Sequence, residues 1–501
     1  MRRRRRDQNA GVHVPAGRAL LSLAALSLCL VAGGCGGSSA SKVPDPLATE
    51  LSYFPTGSPF VAAIATNPQG TAVQNAQGLL GAFPLSRLGI TAGESELGSI
   101  GLNYQTEIEP LFGNPIAVGA LQVAGAGAIG SNIIGVWVTK SAAALGALVK
   151  KIPGSKPAGT FDGATLYRTG ASATYAVDGA TVVLGGTAAA VDAALNRHAH
   201  GGGISSADFS NAMGSLPQDT LIQAFGSLTG ALSTPASATA RKVPWVAAIR
   251  SYAASISAGS SGLTAQFRID TSGGSLTTSE LPISSGTTAP DLAGTLPITV
   301  GLRDPAQSFD FILAALQAAD PTTYSQFVKG DNAAKSKTGY DLQTFAALLT
   351  GNMVVQSDTT TTMGRADVSD PASAAKQLAF LPEFVRYAHA PHAVTRTSGG
   401  FYSIKESGTH TLNLGLVGNE LVAGLATPAQ LRAFAAAPSS PAPNAQGSLA
   451  FRISLLGLLH IAFKHAPSQI IQSVLSSLGD ITGSASATTG ALTGSFSLGV
   501  K

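Results

Sequence analysis

The sequence predicts an α+β fold of two tandem, internally repeated modules, each an antiparallel sheet with helices packed on one face. Three observations carry this expectation: strand-like apolar runs follow one another through tight turns, short amphipathic helices separate the hairpins, and landmarks of the first half recur in the second. Tight turns favour antiparallel neighbours, because a parallel pair needs a crossover of a dozen residues or more.

The landmarks can be taken in chain order. Ser58-Pro59-Phe60-Val61-Ala62-Ala63-Ile64-Ala65-Thr66-Asn67-Pro68 is echoed by Leu296-Pro297-Ile298-Thr299-Val300-Gly301-Leu302-Arg303-Asp304-Pro305, each an apolar strand that ends in a polar residue and Pro before a helical pattern. Ser141 and Asp370 stand at N-cap positions of helices expected to reach Pro153 and Pro382, and Pro371 fits the first helical position, where its missing N–H costs nothing. The third pair is 177–187 and 417–427. Each reads as strand, tight turn (Asp178-Gly179, Gly418-Asn419), second strand and a Thr-capped helix that places Val191 and Leu195, or Leu431 and Phe434, on one face. The first module is expected over 47–285 and the second over 290–501, with an insertion in the second at 383–399. Each is expected to close on a meander: 263–269 with 276–281, and 482–488 with 491–500.

Ahead of the modules lies an address. Arg2 to Arg6 form a cationic segment, residues 19–31 an apolar run of signal-peptide length, and Ala32-Gly33-Gly34-Cys35 follows. This resembles the lipobox of bacterial lipoproteins, with Ala32 where Leu is usual. The resemblance implies a signal peptide over 1–34 and a diacylglyceryl group on Cys35. Two or three acyl chains hold a protein at a membrane durably, where one does not. Residues 36–46 contain little that would order them and read as a tether. Cys29 leaves with the signal peptide, so Cys35 is the one cysteine of the mature chain and no disulfide or thiolate chemistry is expected.

Composition excludes further classes. At 501 residues the chain is long enough for real cores, and its 12% charged residues are about half the usual share. Six of the 31 basic residues and one of the 27 acidic residues precede Cys35, which leaves 25 against 26 and no basic field for nucleic acid.

A wider resemblance rests on Leu51-Ser52-Tyr53-Phe54-Pro55-Thr56-Gly57-Ser58-Pro59-Phe60-Val61-Ala62-Ala63, on the hairpin and capped helix near 175–197, and on Phe209 through Leu216-Pro217 to Phe225. These are similar to the bacterial envelope proteins grouped as domain of unknown function 3352. The likeness spans most of 47–435. It implies this architecture and an exported location, and it brings no activity with it.

Motifs for chemistry are sparse. Gly226-Ser227-Leu228-Thr229-Gly230 has its serine in the wrong place for a nucleophile elbow. Ser373-Ala374-Ala375-Lys376 and Lys337-Thr338-Gly339 match two penicillin-binding motifs in reversed order, without the serine–asparagine motif between them. Asp304 and Asp310 near Arg303, and Asp341 near Lys337, read as surface charge pairs. His198 and His200 end a helix, where imidazole satisfies terminal carbonyls. His389 and His392, with Glu383 nearby, are weak metal candidates that lack a third ligand at diagnostic spacing. No phosphate loop, dinucleotide fingerprint or calcium loop occurs, and no cofactor is expected. The expected function is that of a membrane-tethered, non-catalytic envelope lipoprotein that binds or scaffolds. A carrier of lipid or another hydrophobic ligand is the alternative, drawing on the apolar stretches 453–463 and 470–478, and an envelope hydrolase acting through Ser373 and Lys376 or through the His389 and His392 loop is the third reading.

Overall fold

A computed structural model describes residues 45–82, 94–95, 97–99, 101–123, 129–169, 173–358, 360–388, 393–397, 399–405, 411–462 and 476–501. The fold is α+β, as the sequence predicts, with a large antiparallel sheet. In the first half the strands are β1 (Phe60–Ile64), β2 (Ile116–Ala120), β3 (Ile133–Val138), β4 (Ser155–Phe161), β5 (Ala164–Thr169), β6 (Ala173–Asp178), β7 (Thr181–Gly185), β8 (Ile222–Ser227), β9 (Ile249–Gly259) and β10 (Gly262–Thr271). After the short β11 (Asp291–Ala293) come β12 (Ile298–Arg303), β13 (Leu349–Ser357), β14 (Thr362–Val368), β15 (Val394–Arg396), β16 (Tyr402–Lys405), β17 (Thr411–Val417) and β18 (Glu420–Gly424). The last are β19 (Ser439–Pro441), β20 (Leu449–Ile453), β21 (Leu478–Ala487) and β22 (Ala491–Val500).

Twenty of these strands form one sheet, and β11 and β19 pair separately. From the centre outward, one side runs β10-β9-β8-β1-β2-β3-β7-β6-β5-β4. The other side runs β22-β21-β20-β12-β13-β14-β18-β17-β16-β15. Both sides therefore use the same connectivity. They meet where β10 pairs antiparallel with β22, from Gly262 opposite Gly499 to Asp270 opposite Ala491.

The helices needed here are α1 (Pro46–Leu51), α2 (Thr71–Ala82), α3 (Ala142–Lys151), α4 (Ala188–His200), α5 (Ser206–Met213), α6 (Pro305–Ala319), α7 (Pro321–Thr338), α8 (Leu342–Ala347), α9 (Pro371–Tyr387), α10 (Pro428–Ala435) and α11 (Leu455–Ala462). Their starts follow from local chemistry. Ser141, Thr187, Asp370 and Thr427 each accept a backbone N–H three residues on, and Pro371 and Pro428 occupy first-turn positions.

Contrary to expectation, helices cover both faces of the sheet. On one face Val61, Ile134, Val136 and Val183 pack against Leu51 of α1, Val191 and Leu195 of α4, and Phe209 of α5. On the other, Trp137, Tyr175 and Val182 pack against Leu145 and Val149 of α3. The second half repeats the arrangement, with Val354 and Val422 against Leu431 and Phe434 of α10, and Val368 and Tyr402 against Leu378, Leu381 and Val385 of α9. The reason is in the strands. Val136-Trp137 and Val182-Val183 are apolar at consecutive positions, so both pleat faces need cover. Each Val or Leu buried this way contributes roughly 1.5–3 kcal/mol.

Three local expectations are also corrected. Residues 276–281 form no strand. Thr277 and Glu280 make a reciprocal capping box that fixes a 3₁₀ turn over Thr278–Glu280, and β9 instead partners β10. Helix α9 continues through Pro382 to Tyr387, because buried Leu378, Leu381 and Val385 outweigh the hydrogen bond the proline removes. The turn between β6 and β7 is Gly179-Ala180, one residue later than expected, since the positive φ it needs (56°) falls on Gly179.

Candidate functional site

The centre of the sheet has two chemically opposite faces, created by strict alternation along its strands. In β10, Leu263, Ala265, Phe267 and Ile269 point one way and Thr264, Gln266 and Arg268 the other. In β22, Leu492, Gly494, Phe496 and Leu498 alternate with Thr493, Ser495 and Ser497. Register then assembles rows. Thr264 stands opposite Ser497, Gln266 opposite Ser495 and Arg268 opposite Thr493. The rows continue onto β21 as Ser484 opposite Ser495 and Ser486 opposite Thr493.

On this polar face lies a cleft of about 500 Å³. Its floor belongs to both halves of the chain, and its walls are Ser215 and Leu216, which follow α5, and Asn444 and Gln446, which follow β19. Some lining groups satisfy one another. Thr264 and Ser497 share a hydroxyl contact of 3.1 Å, the Gln446 N–H donates to Ser484 Oγ at 3.0 Å, and Arg268 Nε donates to Asp270. The side chains of Gln266, Ser486, Thr493 and Ser495 have no intramolecular partner among the described residues. The cleft thus offers unspent donors and acceptors, its one cation is matched by Asp270, and no carboxylate or imidazole lines it.

The reverse face is apolar. A single row crosses eight strands as Val300, Phe451, Gly483, Phe496, Ala265, Ile256, Ile222 and Ile64, without a polar side chain. Phe496 is 46% exposed and Val300 38%. The Phe267 ring lies over Gly494 and the Phe451 ring over Gly483, where an added Cβ would approach ring carbons at 2.6 and 2.5 Å. Toward its ends this face is covered, by Ala76 and Leu79 of α2 against Leu263 and Val500, and by Trp245, Leu281 and Ile283 against Leu302 and Leu492. A smaller cavity of about 270 Å³ lies within the first half, between Leu47, Thr66, Asn67, Val73, Thr220 and Gln223.

The residues singled out in the sequence fall elsewhere. Cys35, His389 and His392 lie outside the described residues, as does the stretch 463–475. The Ser373 hydroxyl donates to Asp370 Oδ2 at 2.6 Å as part of the α9 cap, and Lys376 is exposed on the same helix. Asp341 pairs with Lys335 at 2.7 Å rather than with Lys337, and its other contacts cap α8. His200 Nδ1 donates to the Asn196 carbonyl at 3.1 Å, the expected terminal role. His198 instead stacks on Tyr53 at 4.2 Å and contacts Ser52 Oγ. The single Ser52 hydroxyl hydrogen is directed at the Thr49 carbonyl, 2.6 Å away, so His198 Nδ1 is the donor to Ser52. No group of three metal-ligating side chains occurs among the described residues.

One buried group was not legible in the sequence. Glu50, on α1, is fully buried; its Oε1 accepts the Val138 N–H at 2.9 Å, and its Oε2 has no partner among the described residues. Burial pushes its carboxyl up to about 9, against the smaller lowering effect of the Val138 hydrogen bond.

No family model and no curated protein matches the chain. Among solved structures, crystal form III of TP0453 aligns at 10% identity and a TM-score of 0.28, over 47% of this chain and 84% of that one. Crystal form I of TP0453 aligns at 10% identity and 0.28 over 47% and 82%, and crystal form IV at 10% and 0.24 over 41% and 77%. At such scores the likeness carries no argument about function.

Proposed function

We propose that the protein is a non-catalytic binding or scaffolding lipoprotein of the bacterial envelope, tethered to the outer side of a membrane through a lipid on Cys35, and related to the envelope proteins it resembles in sequence. The cleft between β10, β21 and β22 is its ligand site. The observation that carries the reading is a cleft of about 500 Å³ lined by hydroxyls and amides from both halves, Gln266, Ser486, Thr493 and Ser495 among them unpartnered among the described residues, with no carboxylate or imidazole in its lining. Support for the tether is the charged segment, apolar run and small residues ahead of Cys35.

Two experiments test it. Metabolic labelling with an alkyne fatty acid should mark the full chain and should fail with Cys35→Ser; labelling that survives this substitution refutes the tether. Because the mature chain has no other cysteine, Ser495→Cys places a single free thiol in the cleft. Envelope extract should slow its reaction with a small maleimide, and an unchanged rate refutes the cleft as the ligand site.

The uncharged row from Val300 to Ile64, with Phe496 half exposed, favours a second reading as a carrier of hydrophobic ligand. Native mass spectrometry that finds a lipid adduct, lost in Phe496→Ser, would support it.

A further inference from the structure

We infer that the ligand of the central cleft is a neutral saccharide, a class that rests on the cleft being the ligand site at all. The floor presents Gln266, Ser486, Thr493 and Ser495 with no intramolecular partner among the described residues, and Asn444 and Ser215 stand on the walls. A serine or threonine hydroxyl both donates and accepts, and a glutamine or asparagine amide does the same with two atoms. Such a surface is complementary to a ligand that also donates and accepts at every position, which is the chemistry of a sugar ring edge.

Other classes fit less well. An acyl chain laid over this floor would bury polar groups without partners, each at a cost that an adjacent apolar face does not impose. An anionic ligand needs surplus positive charge, but Arg268 is the one cation in the lining and Asp270 already holds its Nε. A cationic ligand finds no lining carboxylate. Within a row, successive side chains lie one strand apart, about 4.8 Å, so neighbouring strands meet successive portions of a short linear chain of rings. The volume, about 500 Å³, lies within the range that encloses a small-molecule ligand.

The test uses the full lipidated chain in nanodiscs, with maltotriose, cellotriose and chitotriose as neutral probes, trigalacturonate as the anionic probe and palmitate as the apolar one. Binding is read by calorimetry and by saturation-transfer NMR. At least one neutral trisaccharide should bind, and Thr493→Val, which keeps the shape and removes one hydroxyl, should weaken it about three- to tenfold. Gln266→Leu should act in the same direction, while Ser373→Ala, on a distant helix cap, should leave affinity unchanged. Circular dichroism of each variant verifies that the sheet is intact.

If trigalacturonate or palmitate binds with the same sensitivity to Thr493→Val and the neutral sugars do not, the ligand class is wrong and the cleft remains the site. If envelope extract protects Ser495→Cys but all three neutral trisaccharides fail, the saccharide is likewise overturned while the site stands. If the thiol is not protected and no probe binds, both fail together.

Discussion

Glu50→Gln isolates the energetic consequence of burying a carboxyl. In the unfolded chain Glu50 ionises near 4.5, whereas burial raises it in the folded chain to about 9. The folded state therefore holds a proton that the unfolded state releases, so stability is greatest below pH 4.5 and falls as pH climbs toward 9. At about 1.36 kcal/mol per unit, the loss attributable to this group is roughly 3 kcal/mol by pH 7 and about 6 kcal/mol by pH 9, as upper bounds. Gln keeps an oxygen for the Val138 N–H and does not titrate. Urea unfolding at pH 5, 7 and 8.5 should show the wild type losing stability relative to Glu50→Gln as pH rises. The variant should be the more stable protein at pH 8.5. A wild-type-minus-variant difference that is flat across this range, or that grows in favour of the wild type, refutes the neutral buried acid.

Other outcomes follow from the same structure. Asp341 has the opposite sign: although burial alone would raise it, its contacts with Lys335 and Thr344 hold it at about 2, so Asp341→Asn should destabilise near neutral pH and have little effect as pH falls toward 2. Gly494→Val drives a side chain into the Phe267 ring and should cost roughly 1–3 kcal/mol in urea unfolding, while Ser495→Ala on the next residue should lie within about 0.5 kcal/mol of wild type. Leu431→Ala, at a fully buried position of α10, should cost about 2–5 kcal/mol, and Thr427→Ala about 1 kcal/mol through the lost cap. Equal costs for these last two would contradict the packing described.

The parts of the fold that were legible in the sequence are those encoded within a few residues. Thr427 announces its helix because Gln430 and Pro428 lie within the same turn, and Gly418-Asn419 announces its hairpin because a tight turn demands those residue types. The cleft was not legible, since its floor exists only once Thr264 meets Ser497 across 233 residues of chain, and rows of Ser and Thr on a strand otherwise read as a solvent face. Glu50 was opaque for a related reason. A single acid in a short helix gives no sign of burial until Val138 is placed beside it. The capping box at Thr277 shows the reverse failure, in which 276–281 was expected as the second strand of a closing meander and a three-residue side-chain motif prevailed.

The pairing of β10 with β22 sets a timetable for folding. Strand β10 is complete by Thr271, yet its second neighbour is supplied by Ala491–Val500, the last of the 22 strands among the described residues. A chain that emerges N-terminus first must hold the first half with an open, apolar-faced edge while more than two hundred further residues appear, and closing so distant a contact is slow. An open edge of this kind is a template for pairing with other chains. Loss of the final strand would thus leave two unpaired edges at the middle of the sheet, on β10 and β21, and turn a late folding step into a route to aggregation.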